Sequence, residues 1–338
     1  MPAMPVKFLI NPIARAQRGQ RLWHALRRAC ARLGYAEDKD YSLEWTRSGS
    51  TVDQARRAAT TWDRVLAVGG DGTVRAVAEG LLKAGTGAAL GVIPQGTGND
   101  FARALGLSQL WAQRRALGIE QIIQRLVTGP TAAVDVLGIN DQLLFMCYCG
   151  VGWDARVCRA YAQLRRHPIM QAVVRGRLTN ECTYALLALR YCMTRLPRLS
   201  LALDALETGW TTSDVPLGAC AVIVSNVSSY AGGAVLTTHA SYSDGQFEVT
   251  TIPRPWLYAL LVLSRYWSSL RRCCPLESRR VRALRLSLPD GYALQADGDD
   301  ATGVLAHDTS LSIRVVGQIP VVCGLMNTTE VLHRLADT

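Results

Sequence analysis

The chain opens on a short apolar run, Val6–Ile10, that stops at Asn11-Pro12. Leu22, Leu26, Ala29 and Leu33 then recur at the spacing of one helix face, and Tyr41, Leu43 and Trp45 alternate with polar neighbours as a strand does. Val52 to Ala59 reads as a helix, and Val65–Val68 as a buried strand running into Gly69-Gly70. Val74, Val77, Ala78, Leu81 and Leu82 keep the spacing of an amphipathic helix, and Leu90–Ile93 is the next strand. Alternation of this kind predicts a parallel sheet covered by helices.

From about residue 133 the texture changes. Val134–Ile139 and Leu143–Tyr148 flank Asn140-Asp141, the composition of a hairpin turn. Strand-like runs follow at Leu199–Leu203, Cys220–Val224, Phe247–Ile252, Leu284–Leu288 and Leu311–Val316, interrupted by helical stretches at Tyr161–Met193 and Trp256–Arg272. The expected fold class is therefore an α/β first domain, residues 1–132, followed by a mainly β second domain, residues 133–319. Neither repeats nor a low-complexity linker interrupt them.

Composition narrows the picture. A hydrophobic fraction of 49% and a charged fraction of 19% over 338 residues suit a large core and exclude disorder. The net charge is +10, carried almost wholly by arginine, since Lys7, Lys39 and Lys83 are the only lysines. Arginine forks suit phosphates, so a nucleotide, a nucleic acid or an acidic membrane surface are all compatible partners. The ten cysteines lack zinc-ligand spacing and sit mostly in apolar runs, and Met1 to Asn11 has no signal-peptide pattern. A cytoplasmic chain with reduced cysteines is expected. The apolar stretch Trp256–Leu263 falls far short of the ~20 residues that span a bilayer.

Two glycine loops carry the chemistry. Gly69-Gly70-Asp71-Gly72-Thr73 joins a buried strand to a helix, where glycines let backbone N–H groups approach a phosphate at a helix N-terminus. Asp71 beside phosphates must handle a metal, a proton or a hydroxyl; the alternative is a helix cap. Pro94-Gln95-Gly96-Thr97-Gly98-Asn99-Asp100-Phe101 repeats the design after the next strand, so both loops fall where open α/β sheets bind ligands. Neither completes a P-loop or a G-x-G-x-x-G fingerprint.

Together, Gly69–Thr73 and Pro94–Arg103 resemble the catalytic domain shared by diacylglycerol, sphingosine and ceramide kinases. NAD kinases and phosphofructokinases use a related first loop, but the second favours the lipid kinases. The resemblance continues through Asp135, Gly150 to Ala155, Ser225-Asn226 with Tyr230 to Gly233, Asp244-Gly245 and Asp297-Gly298-Asp299, in the family's order. It implies an NAD kinase/diacylglycerol kinase-like fold with the active site between the domains. It also implies that a tail, residues 320–338, packs back on the first domain.

The implied roles follow residue by residue. Asn11, Thr46, Gly69, Gly70, Asp71, Gly72, Thr73, Gly96, Thr97 and Asn99 would hold ATP, and Asp71, Asp100 and Asp135 the Mg²⁺. Asp297 and Asp299 would face the cleft, with one of them or Asp71 accepting the proton of the attacking hydroxyl. Ser241, Asp244 and Gln246 resemble a separate structural ion site. Three positions depart from the family: Asp299 replaces the usual Glu and reaches about 1.5 Å less, Arg75-Ala76 replaces Asn-Glu, and Ile13-Ala14-Arg15 replaces a glycine-rich run.

The resemblance implies an ATP:lipid phosphotransferase whose acceptor is diacylglycerol, ceramide or a sphingoid base. A kinase of a soluble acceptor such as NAD, or a non-catalytic nucleotide- or lipid-binding relative, are the alternatives. Nine arginines against Glu181 lie between Arg156 and Arg198, and seven against Glu277 between Arg265 and Arg285. Interleaved with apolar residues, they read as basic helices that dock on anionic phospholipid headgroups or as core helices with solvated outer faces. Peripheral membrane association is expected, nucleic acid is not, and a homodimer is left open. The five histidines form no metal-ligand or hydrolase arrangement.

Overall fold

The alternating first stretch folds as its pattern implies. Strands β1 (Val6–Ile10), β2 (Tyr41–Trp45), β3 (Arg64–Gly69) and β4 (Ala89–Pro94) are separated by helices α1 (Gly19–Arg32), α2 (Thr51–Ala58) and α3 (Asp71–Ala84). The structure, a computed structural model, describes residues 5–13, 19–168, 170, 177–197, 199–206, 208–267, 269–288, 291–305 and 310–324. The four strands are parallel in the order β2-β1-β3-β4. Every residue of β3 and β4 is buried, and all but Arg64 are apolar.

Four short helices then close this unit: α4 (Asp100–Ala104), α5 (Leu107–Ala112), α6 (Arg114–Leu117) and α7 (Ile119–Thr128). Gly106 and Gly118, both at positive φ, break the stretch between α4 and α5 and between α6 and α7. The α7 carbonyls are capped from below: buried Arg64 donates to Leu126 O and Gly129 O, both at 2.8 Å.

Residues 135–317 form a second compact unit, and the chain rejoins the first at Gln318. One sheet of the second unit contains β5 (Thr131–Ile139), β6 (Leu143–Phe145), β8 (Leu199–Ala205), β9 (Gly209–Val215), β15 (Ala283–Ser287) and the start of β18 (Ser310–Val322). The other runs β14 (Ser278–Val281), β13 (Phe247–Ile252), β10 (Ala221–Ser225), β7 (Tyr148–Gly152), β16 (Leu294–Ala296) and β17 (Asp299–Asp300). Leu201, Leu203, Val222, Val224, Phe247, Leu284, Leu286 and Ile313 pack in one shared core, so the two sheets form a sandwich. A small hairpin, β11 (Ser229–Tyr230) and β12 (Ala234–Val235), stands apart.

The hairpin at Asn140-Asp141 is a type I′ turn, with φ of 49° and 52°. The long helical stretch resolves into α8 (Trp153–Arg166) and α9 (Arg177–Tyr191), and the second into α10 (Pro255–Leu263) and α11 (Ser269–Arg272). Polar, largely exposed β9 and three-residue β16 gave no sequence signal, because each owes its strand to a neighbour.

Among the described residues no helix is long and apolar enough to cross a membrane. All ten cysteines are free. Residues up to Gly324 of the tail belong to the first unit, with Gly324 donating to Leu105 O at 2.9 Å. Residues 325–338, like Ala14 and Arg15, lie outside the described residues.

Candidate active site

In the first unit, parallel register brings every candidate nucleotide residue to one edge. Ile10 lies beside Trp45 and Val68, and Gly69 beside Pro94, so Asn11, Thr46 and both glycine loops leave the sheet at its carboxyl end. The loops then interlock. A Cβ on Gly96 would stand 2.5 Å from Gly70 Cα, and one on Gly70 would stand 3.0 Å from Gly96 Cα. Only two glycines permit backbones to cross so closely.

Side chains lock this crossing. Asn99, left-handed at φ 53°, accepts the Gly96 N–H on Oδ1 and donates Nδ2–H to Gly96 O, both at 2.8 Å. Arg103 donates to Gly98 O at 3.1 Å. Asn11 Nδ2 donates to Thr73 Oγ1 at 3.0 Å.

Asp71 does not cap its own helix. Gly70 is the N-cap, without a side-chain bond, and the Asp71 carboxylate instead accepts Asn99 N–H at 2.8 Å and Phe101 N–H at 3.4 Å. It thus ties the first turn of α3 to the loop that starts α4.

Asp100 is buried, and its Oδ2 and Asp71 Oδ2 converge on Gly98, where a Cβ would lie 3.5 and 3.1 Å from them. Two carboxylate oxygens flanking a half-buried glycine are the hard-oxygen donors Mg²⁺ takes. Around them Gly70, Asp71, Gly72 and Gly98 are half-buried and Thr97 is exposed, so the N-terminus of α3 is open to an anion.

Asp135 is differently employed. It is fully buried in the second unit, and its Oδ2 accepts Gly245 N–H at 2.8 Å. Asn226 braces the same strand, donating to Asp135 O at 3.1 Å and Met146 O at 3.2 Å. Through its bond to Gly245, Asp135 anchors the loop 241–247. Within that loop Asp244 Oδ1 accepts Gln246 N–H at 3.0 Å. The positive charge near Asp244 is Arg280, 3.9 Å from its Oδ2 and 3.4 Å from Glu248. Ser241 lies on the same loop, half-buried. Burial pushes the Glu248 carboxyl up to about 7, against the pull of Arg280. Among the described residues no three His, Cys, Asp or Glu side chains gather as a metal-binding group.

The last motif forms a second type I′ hairpin. Asp297 and Gly298 have φ of 50° and 82°, and the turn pairs Ala296 with Asp299. The Asp297 carboxylate accepts three backbone N–H groups, from Met146 at 3.1 Å, Cys147 at 2.8 Å and Tyr148 at 3.2 Å. Asp297 was expected to face the cleft as a candidate base. With three amide donors on it, the carboxylate clamps the turn. Asp299 emerges on the far side of the turn and lines a cavity of about 310 Å³ with Asp300, Cys158, Tyr161, Tyr184, Arg165 and Arg166.

Asp154 and Tyr230, which stand in two of the motifs quoted from the sequence, belong to a network with Gln295 that sequence reasoning missed. Asp154 is buried and accepts from Gln295 Nε2 at 3.1 Å and Tyr230 Oη at 3.3 Å, while its Oδ1 has no partner. Gln295 Oε1 in turn accepts Gly298 N–H at 3.0 Å, linking Asp154 to the turn that carries Asp299. Gln295 is the middle residue of three-residue β16 and carries no signal of its own; its partner Asp154 lies 141 positions away.

Burial pushes the Asp154 carboxyl from 3.8 up to about 6. A folded-state value above the unfolded one means that its stabilising contribution is full below about pH 4 and is lost as pH rises through about 6. The loss is on the order of 3 kcal/mol. Asp154→Asn stays neutral throughout, so its stability relative to the parent should rise by roughly that amount between pH 4 and 7. Urea unfolding at several pH values measures this; a difference constant with pH rejects it.

Comparison with known proteins agrees with this architecture. The model of the diacylglycerol kinase catalytic domain matches residues 5–138, and that of the diacylglycerol kinase accessory domain matches residues 144–299. A protein of Enterobacter sp. strain 638 named "Probable lipid kinase YegS-like" is 33% identical over 97 residues, 28% of this chain and 30% of that one. A protein of the same name from Klebsiella pneumoniae strain 342 is 35% identical over 95 residues, 28% of this chain and 29% of that one. The match thus spans less than a third of these curated relatives. A crystal structure of a diacylglycerol kinase from Bacillus anthracis Sterne superposes with TM-score 0.60 at 15% identity, covering 96% of this chain and 98% of that one. Another structure from that strain gives 0.65 at 16% identity, covering 97% of this chain and all of the other. At such identities the superpositions speak for the fold.

Proposed function

The chain belongs to the diacylglycerol kinase family, and from that premise we propose that it transfers the γ-phosphoryl group of ATP to a lipid hydroxyl. The observation that carries this reading is the interlocked pair of glycine loops at one sheet edge, cross-braced by Asp71. Backbone amides and the α3 N-terminus attract the triphosphate. Asp71 and Asp100 would hold Mg²⁺, whose charge offsets that of the phosphates.

Phosphoryl transfer asks the protein mainly for positioning and charge neutralisation. Asn99, Arg103 and Asn11 fix the loops before ATP arrives, so little reorganisation accompanies binding. The acceptor hydroxyl is assigned to the cavity of the second unit, where Asp299 takes its proton and Arg165 and Arg166 face the polar headgroup. Diacylglycerol, ceramide and sphingoid bases all carry a hydroxyl of this kind.

The test is transfer of labelled γ-phosphate, with Mg²⁺, into micellar diacylglycerol, ceramide, sphingoid base and monoacylglycerol. One labelled lipid is the expected result. Label in NAD alone would move the reading to a soluble acceptor, and ATP binding with no transfer to a non-catalytic relative. Gly96→Ala should raise the KM for ATP about 10-fold or more, because the new methyl meets backbone that cannot yield. An unchanged KM would remove the loop crossing from the ATP site.

A further inference from the structure

Helix α10 is apolar on every face, yet in the folded unit only Leu257 and Leu261 are buried. Trp256 is 51% exposed, Leu263 42% and, just beyond the helix, Trp267 60%. These positions, with half-buried Leu260 between them, fall at i, i+4, i+7 and i+11 and so share one face. Helix α9 repeats the arrangement: exposed Cys182, Leu186, Leu189 and, just past its end, Met193. A helix facing water carries polar residues there.

The two helices are tied at two points. Tyr266 Oη donates to Glu181 at 3.1 Å. Trp153 donates Nε1–H to Ala188 O at 2.9 Å while its ring packs 4.5 Å from Tyr258. The end of one segment thus lies by the start of the other, and the pair runs antiparallel. Exposed Arg190, Arg195, Arg254 and Arg272 flank the apolar rows, and no acidic residue occurs from Cys182 to Leu203 or from Pro253 to Leu276.

We propose that the α9–α10 pair is a membrane-docking surface that lies flat in the interface of a bilayer containing anionic phospholipid. The occupant follows from charge and composition together. Arginines reach anionic headgroups, Trp256, Tyr266 and Trp267 are side chains that sit at headgroup level, and the leucines enter the acyl boundary. Neither helix can cross the bilayer, so the contact is with one leaflet. This deepens the lipid-kinase reading and rests on it for its purpose, though not for its test.

The full-length chain is floated with phosphatidylcholine vesicles and with vesicles containing 30% phosphatidylglycerol (a composition chosen for the assay, ~30% anionic), without ATP. Binding to the anionic vesicles with a blue shift of Trp emission is expected. The exposed-site variant Leu189→Glu/Trp256→Glu should lose that binding about 10-fold or more, and keep transfer to a short-chain acceptor in solution. Arg190→Gln/Arg254→Gln should abolish the preference for anionic vesicles. Absence of parent binding overturns the proposal, as does undiminished binding of both variants. A concentration-dependent dimer that the Glu variant converts to monomer, with vesicle binding unchanged, would assign the face to a second copy instead. Vesicle binding without phosphorylation of any lipid would sink the kinase reading and leave the docking surface standing.

Discussion

Asp71→Asn should abolish phosphoryl transfer while leaving the first unit folded, with kcat falling on the order of 100-fold or more. The reason lies in what the carboxylate does. Its two oxygens accept Asn99 N–H and Phe101 N–H, so it fixes the second glycine loop relative to the first. An amide has only one acceptor oxygen, and its NH₂ group would face a backbone N–H in the other position. The charge that complements Mg²⁺ is lost at the same time. Far-UV circular dichroism should match the parent, since the four strands and α3 do not depend on this side chain. Wild-type turnover with a native spectrum would remove Asp71 from the chemistry.

The second large effect is on stability. Asp297→Ala leaves the buried N–H groups of Met146, Cys147 and Tyr148 without their acceptor. Each unsatisfied donor costs about 1–3 kcal/mol, so a loss on the order of 4 kcal/mol or more is expected. A left-handed alanine at φ 50° adds to it. Asp297→Asn tolerates that conformation and keeps one acceptor, so it should lose less than half as much. Thermal unfolding of the two variants decides the matter. Equal, small losses would mean that the turn holds itself and that Asp297 is free for another role.

The first unit was readable because its information is local. The runs Val65–Val68 and Leu90–Ile93 announce buried parallel strands, and the glycines that follow them announce their loops. Asn140-Asp141 likewise states its turn type in two residues. The hydrogen bonds of Asp297 were not legible because its partners are about 150 positions away in sequence. A carboxylate in an Asp-Gly pair looks the same whether it meets a substrate or three amides. Asp135 hid its role for the same reason, since Gly245 lies 110 positions later. The outward face of α10 was not legible either: Pro255–Leu263 has no polar side to orient it, and only the fold shows which leucines are covered. Helices α4 to α6 escaped because each is too short to display a period; α7 does display one, in Ile119, Ile122, Ile123, Leu126 and Val127, and was passed over.

The chain's return to the first unit constrains how the protein is made. Val321 pairs with Leu90 on β4, Cys323 donates to Pro130 O, and Gly324 to Leu105 O. These residues are translated after the whole second unit. A ribosome-bound chain therefore carries β4 with one open hydrogen-bonding edge until β18 has been made. The glycine loops can be built early, but the sheet beneath them closes last. A nascent or prematurely terminated product would thus expose an unpaired, wholly apolar strand, and its quality control falls to whatever recognises such edges.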